Sequence, residues 1–232
     1  PFCPCCVAAS RPKRGCMLRA AAARDAERPV LVSSSGSKEI DGLCFGEVDR
    51  LNRSFEVSAA FGFYDDSRGA NALAVDSIYD RTRKDGAVLM GRSLVMLLAA
   101  GDAQANMLPI LAVLAHEWGH IRQYKSRVVA DWGVHFELSA DFLAGWYLSR
   151  RQDVTDSGMA KVIGEFSRLG DTSFTREEHH GTPSQRSRML AFAYNNLQSP
   201  DFTPGVERRA KAAAPAAGEA VEALKTSLHL LQ

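Results

Sequence analysis

The sequence predicts an α+β protein: a mainly helical domain beside a small antiparallel sheet. Three observations carry that prediction. Six segments repeat apolar residues at helical spacing, several of them with capping residues at an end. Three short apolar runs between residues 57 and 90 have strand length and are bounded by turn-forming residues. The 232 residues, 46% of them hydrophobic, are enough for one substantial core with appendages.

Residues 1–37 read as a disordered or leader segment: a Cys/Pro start, an Ala/Arg stretch and the polar run SSSGS. Four of the five cysteines lie here (Cys3, Cys5, Cys6 and Cys16), the fifth being Cys44. Three cysteines within four residues crowd any single tetrahedral ion, and no second pair follows at finger spacing. An odd count without paired spacing also argues against a disulfide framework. From Ile40 the pattern turns helical, with Ile40, Leu43, Cys44, Val48, Leu51 and Phe55 mostly on one face. VSAAFGFYD alternates Val57, Ala59, Phe61 and Phe63, as a half-buried strand does. NALAVDSIY from Asn71 and GAVLM from Gly86 read as two more strands, joined through TRKDG as a hairpin. GRSLVMLLAA follows as a helix.

Asn106 is placed to cap the next helix, LPILAVLAHEWGHIRQYK, with Pro109 near its first position, where a missing N–H costs nothing. VHFELSADFLAGWYLSRR is a further helix whose basic end suits the negative C-terminal dipole. SGMAKVIGEFSRLG is the next, and HHGTPSQRSRMLAFAYNNLQ opens on a capping box of Thr182, Pro183 and Gln185. From Gly205 the chain is an Ala-rich, charged helical tail interrupted at Pro215. The expected organisation is thus a leader over 1–37, one domain over 38–204 and a tail over 205–232. A net charge of +1 offers no field for nucleic acid. The longest apolar candidate for a membrane span, AVLMGRSLVMLLAA, is broken by Arg92 and is too short. No secretory signal is visible, and a removed one stays open. Localisation and oligomeric state are not legible in the residues.

The chemistry concentrates in LAHEWGHIRQ. His116 and His120 stand four apart, so one helix face offers both imidazoles to one ion. Glu117 lies about one hundred degrees round from His116, within reach of a water beside that ion. A catalytic zinc needs a third protein ligand and an open position. The HExxHxxGxxH pattern does not supply it, because Gln123 stands where its glycine belongs and residue 126 is a serine. Glu137, 17 residues after His120, leaves room for a loop and a returning helix. Asp141 follows on the same face, where a carboxylate can orient a metal-bound imidazole. The neighbours Phe136, Leu138, Ala140, Phe142 and Leu143 make that helix apolar nearly all round, which fits poorly with a solvated acidic face. His135 is the rival third ligand, two residues before Glu137 and pointing elsewhere. Gly119, costly in mid-helix, marks either a close approach or a simple packing position.

HEWGH followed by ELSAD resembles the gluzincin metallopeptidases. The longer set AHEWGHIRQ, ELSADFLAGW and HHGTPSQR resembles the neutral zinc metallopeptidases and, more distantly, the peptidases of the CAAX prenyl protease and membrane heat-shock type. The likeness runs from about Phe61 to Asn195. It implies a zincin-like fold, one Zn2+ per chain held by His116, His120 and Glu137, Glu117 as catalytic base, and Asp141 orienting His116. It also matches His180 and Arg186 to a His…Arg element near the active site, although this chain has HG where that pattern often has HP. His180 read without the resemblance is a loop histidine. The implied activity is that of a zinc metalloendopeptidase acting on protein or peptide substrates, with a zinc-activated water and Glu117 as general base. His180, Tyr124 or Tyr147 is placed to stabilise the oxyanion. The strand at 71–75 could pair with an extended substrate. Two other readings compete: a catalytically silent zinc-bearing interaction module, and a latent peptidase blocked by its Cys-rich N-terminal segment.

Overall fold

A computed structural model of the chain describes residues 29–76, 80–100, 107–126, 134–169 and 181–196. His180, Asn106, Cys3, Cys5, Cys6, Cys16 and the tail over 205–232 lie outside them. The chain divides into two compact units, residues 1–128 and 129–232. The first contains β1 (Leu31–Val32), α1 (Lys38–Ser54), β2 (Ala60–Tyr64), β3 (Ala72–Val75), β4 (Ala87–Gly91), α2 (Arg92–Leu98) and α3 (Met107–Lys125). The second contains α4 (Val134–Ser149), α5 (Asp156–Leu169) and α6 (Pro183–Asn196). Six helices and one four-stranded sheet among the described residues make the protein α+β. None of these helices is long and apolar enough to cross a membrane.

The sheet departs from the antiparallel one expected. Its order is β1-β2-β4-β3, and β2 pairs parallel with β4, from Ala60 opposite Ala87 to Tyr64 opposite Gly91. β3 and β4 form the antiparallel hairpin that TRKDG suggested, with Val75 opposite Ala87. β3 therefore lies at the edge, and β4 is inserted between two strands that precede it. Neighbouring strands in sequence usually pair; here β4, whose five positions are all buried, takes the interior place beside β2 instead of β3. β2 is likewise buried at every position, so it is a two-sided core strand and not the half-buried one its alternation suggested. One face sets Phe61 and Phe63 against Phe45 of α1 in edge-to-face contacts at 5.3 and 5.7 Å, with Trp118 of α3 beside Phe61. The other face gathers Ala60, Tyr64, Val75, Ala87 and Leu89, with Leu31 and Leu73 at its margin. β1 is a second correction. Leu31 and Val32, inside the stretch expected to be disordered, pair antiparallel with Tyr64 and Phe63.

Two buried polar side chains lock this unit together. The Asn52 carbonyl accepts from the Ala59 amide and from Trp118 Nε1, at 2.8 and 3.0 Å, and its amide donates to the Ala59 carbonyl. That ties α1 to the start of β2 and to α3 at the residue following Glu117. The Asp66 carboxylate accepts from the backbone amides of Asn71, Ser93 and Leu94. It thereby satisfies the exposed N–H groups at the start of α2, which has no side-chain cap of its own. A Cβ at Gly91 would run into that carboxylate, so the strand-to-helix corner requires glycine.

In the second unit, α4 and α6 pack along their length. Contacts advance in the same direction on both, Asp141 meeting Arg186 and Gly145 meeting Leu190 and Ala193, so the two helices run roughly parallel. A Cβ at Gly145 would strike the Leu190 carbonyl, which explains the close approach. α6 starts as the capping box predicts: the Thr182 amide donates to Gln185 Oε1 at 2.8 Å, and the Gln185 amide donates to Thr182 Oγ1 at 3.2 Å.

Candidate metal centre

α3 is buried without a break from Leu108 to Ile121, and again at Gln123. A helix enclosed this way brings its polar residues into the interior, where each needs a partner. His116 and His120, one turn apart, face each other with Nε2 atoms 3.0 Å apart and ring planes nearly perpendicular. Two imidazole nitrogens this close either share a proton or turn both lone pairs toward one cation. Nitrogens at 2.0–2.1 Å from a tetrahedral ion stand about 3.3 Å apart, so a small opening of the pair would admit one.

Glu117 is fully buried on the same helix. Its carboxylate acts on Tyr64 of β2, whose phenol is pushed well above its usual range by burial first, then by the charges of Asp66 and Glu117. Gln123, 4% exposed, places Oε1 at 2.7 Å from His120 Nδ1. The Tyr124 ring stacks over His120 at 6.5 Å, and its hydroxyl donates to the Ala74 carbonyl of β3. The hydroxyl of Tyr124 is thus engaged by the sheet, a different place from the oxyanion role expected of it. Tyr147 is buried within α4.

His116, His120 and Glu137 are all buried, and their ligand-type atoms lie within 4.8 Å of one another: a group that could hold a metal ion. Two neutral nitrogens and one carboxylate are a donor set suited to a divalent cation such as zinc. His135, the rival, is half-buried and is not part of this group. Asp141 is fully buried and receives a two-pronged pair of bonds from Arg186, Nε to Oδ2 at 2.9 Å and Nη2 to Oδ1 at 2.7 Å. The Arg186 guanidinium also lies over the Phe166 ring. Spacing marked Asp141 and the family resemblance marked Arg186; their direct pairing depends on how α6 lies along α4.

Three residues near this chemistry escaped the sequence reading. Tyr64 falls outside the Val57-to-Phe63 alternation, on the opposite face of β2. Gln123 stood out only as a departure from another motif. Asp66 lay in a stretch that reads as an ordinary turn. The one available signal was position: Gln123 is three residues after His120, on a helix whose apolar first half indicated an enclosed course.

Comparison with known proteins gives no significant match to any family model, curated protein or solved structure.

Proposed function

We propose that this chain is a zinc-dependent metallopeptidase of gluzincin type that hydrolyses peptide bonds, with His116, His120 and Glu137 as ligands and Glu117 as general base. The observation that carries the reading is the enclosed His116, His120 and Glu137 group with a further buried carboxylate, Glu117, on the same helix as the two histidines. An interior made for packing alone has no reason to collect four such side chains, because each costs free energy to desolvate. The motif resemblance points the same way and adds the zincin-like fold, Asp141 toward His116, and roles for His180 and Arg186.

A zinc ion held by this group would polarise a substrate carbonyl and lower the pKa of a nearby water to about 7. Glu117, fully enclosed, is the group to take that water's proton and deliver it to the leaving amine. At the sheet edge, Gly91 donates to the Asn71 carbonyl, so Asn71, Leu73 and Val75 face β4. Ala72 and Ala74 therefore turn their backbone groups outward. Both residues are fully buried and the Tyr124 hydroxyl already holds the Ala74 carbonyl, so an extended peptide could add to this edge only by displacing what covers it.

Glu117→Gln is the decisive variant. It is expected to keep stoichiometric zinc while peptide hydrolysis drops at least about a hundredfold, the usual scale for loss of a general base. Zinc content by metal analysis and cleavage of a casein-type substrate, with and without chelator, measure both. Parent-like cleavage by Glu117→Gln would remove Glu117 from the mechanism, and a parent chain that takes up no zinc would remove the metal reading.

A further inference from the structure

Four buried polar side chains sit on α3 between His116 and Gln123, and the mechanism above uses three of them. Gln123 is the remainder. Burying a primary amide is unfavourable unless its hydrogen bonds are made. The bond found here is specific: the amide oxygen lies 2.7 Å from His120 Nδ1. A carbonyl oxygen can only accept, so Nδ1 carries the proton. In a neutral ring the lone pair then belongs to Nε2, the atom that stands 3.0 Å from His116 Nε2. The Tyr124 ring lies nearly parallel to the same imidazole with centroids 6.5 Å apart, and its hydroxyl donates to the Ala74 carbonyl.

We propose that Gln123 is a positioning residue of the metal centre, which fixes the tautomer and ring angle of His120 so that Nε2 is presented for ligation. The inference rests on the metal reading of the group given above. The residue touches neither substrate nor reacting atoms, and it acts through His120. Its helical offset explains why a glutamine is suited to the task. At i+3 the side chain of Gln123 lies on the same face as His120, and its length returns the carbonyl to Nδ1. Glutamate would keep the acceptor and enrich the imidazole in electron density, whereas leucine would keep the volume and leave Nδ1–H without that acceptor.

The test is zinc affinity, measured on the full chain by competition with a chromophoric chelator, for the parent, Gln123→Leu and Gln123→Glu. Gln123→Leu is expected to bind zinc about ten- to a hundredfold more weakly, the scale on which losses of such supporting partners act. Gln123→Glu is expected to bind at least as tightly as the parent, a rescue that bulk packing would not produce. Far-UV circular dichroism of the metal-free proteins checks folding, and if Gln123→Leu does not fold, the near-isosteric Gln123→Glu decides alone. Parent-like zinc affinity in Gln123→Leu, or a loss of more than about tenfold in Gln123→Glu, overturns the positioning role while leaving the ligand set intact. Absence of zinc binding by the parent overturns the ligand set and this role with it.

Discussion

Asp66 and Asp141 are buried carboxylates, one in each compact unit, 4% and 0% exposed, and they are kept inside by opposite means. Asp66 is held by backbone: three amide groups, those of Asn71, Ser93 and Leu94, donate to it within hydrogen-bond distance. Asp141 is held by a formal cation, Arg186, which is itself fully buried and is 45 residues away in sequence. The first arrangement is the more forgiving, because its donors are main-chain groups that only a proline at those positions would remove. The second is mutual. Each charge justifies the burial of the other, and neither can be lost alone without leaving an uncompensated ion in a low-dielectric interior. That difference separates a carboxylate that builds a corner of the fold from one that sits one turn along α4 from the candidate ligand Glu137.

The largest expected effect breaks the second arrangement. Arg186→Met removes the cation, keeps most of the volume and strands Asp141; it should cost about 3–5 kcal/mol of stability. Pairing it with Asp141→Leu should return most of that loss, since replacing both members of a buried ion pair by apolar residues is commonly neutral or better. Thermal and urea unfolding of the two single variants and the double variant measure the coupling. A cost for Arg186→Met below about 1 kcal/mol would mean that Asp141 finds its charge balanced elsewhere.

A smaller loss is expected at the backbone-held carboxylate. Asp66→Asn keeps the shape but turns an NH2 group toward at least one of the three amides, so one or two bonds are replaced by a donor facing a donor. About 1–3 kcal/mol is the expected cost, read from the urea midpoint. A loss as large as that of Arg186→Met would erase the contrast between the two sites.

How much of this was legible in the sequence follows from the range over which each cause acts. The α6 start was, because the capping box of Thr182 and Gln185 lies within four residues and the bonds it predicts are the bonds formed. The convergence of His116 and His120 was, because helical periodicity alone sets it. The antiparallel pairing of β3 with β4 was also, the two strands being neighbours in sequence. Strand order was not: neither the alternation of β2 nor the apolar run of β4 says that these two strands pair with each other, and the parallel pairing needs β3 to fold outside β4. Leu31 and Val32 carry too little pattern to read as a strand, and take their order from the open side of β2. The clamp of Arg186 on Asp141 was beyond reach for the same reason. It depends on which faces of α4 and α6 meet, and Gly145 fixes that by permitting contact with the Leu190 backbone.

Cys44 sharpens the contrast from a third side, as a titratable group kept inside by having no charge at all. It is fully buried in α1, and burial, followed by the negative charge of Asp41, pushes its thiol from 9.0 up to about 12. The sign of the consequence follows from proton counting. Below about pH 9 both folded and unfolded chains hold the proton, so the full stabilisation is present. Above it the unfolded chain releases the proton while the folded chain retains it, and stability falls as pH rises toward the folded value. Between about pH 8 and pH 10 this group alone should remove about 1 kcal/mol. Cys44→Ala deletes that contribution, so its unfolding free energy should decline less over the same interval than that of the parent, whatever its own packing loss at neutral pH. Equal declines in the two proteins would show that the Cys44 thiolate is as well solvated in the fold as outside it. The position would then be open to water, unlike the enclosed carboxylates to which it is compared.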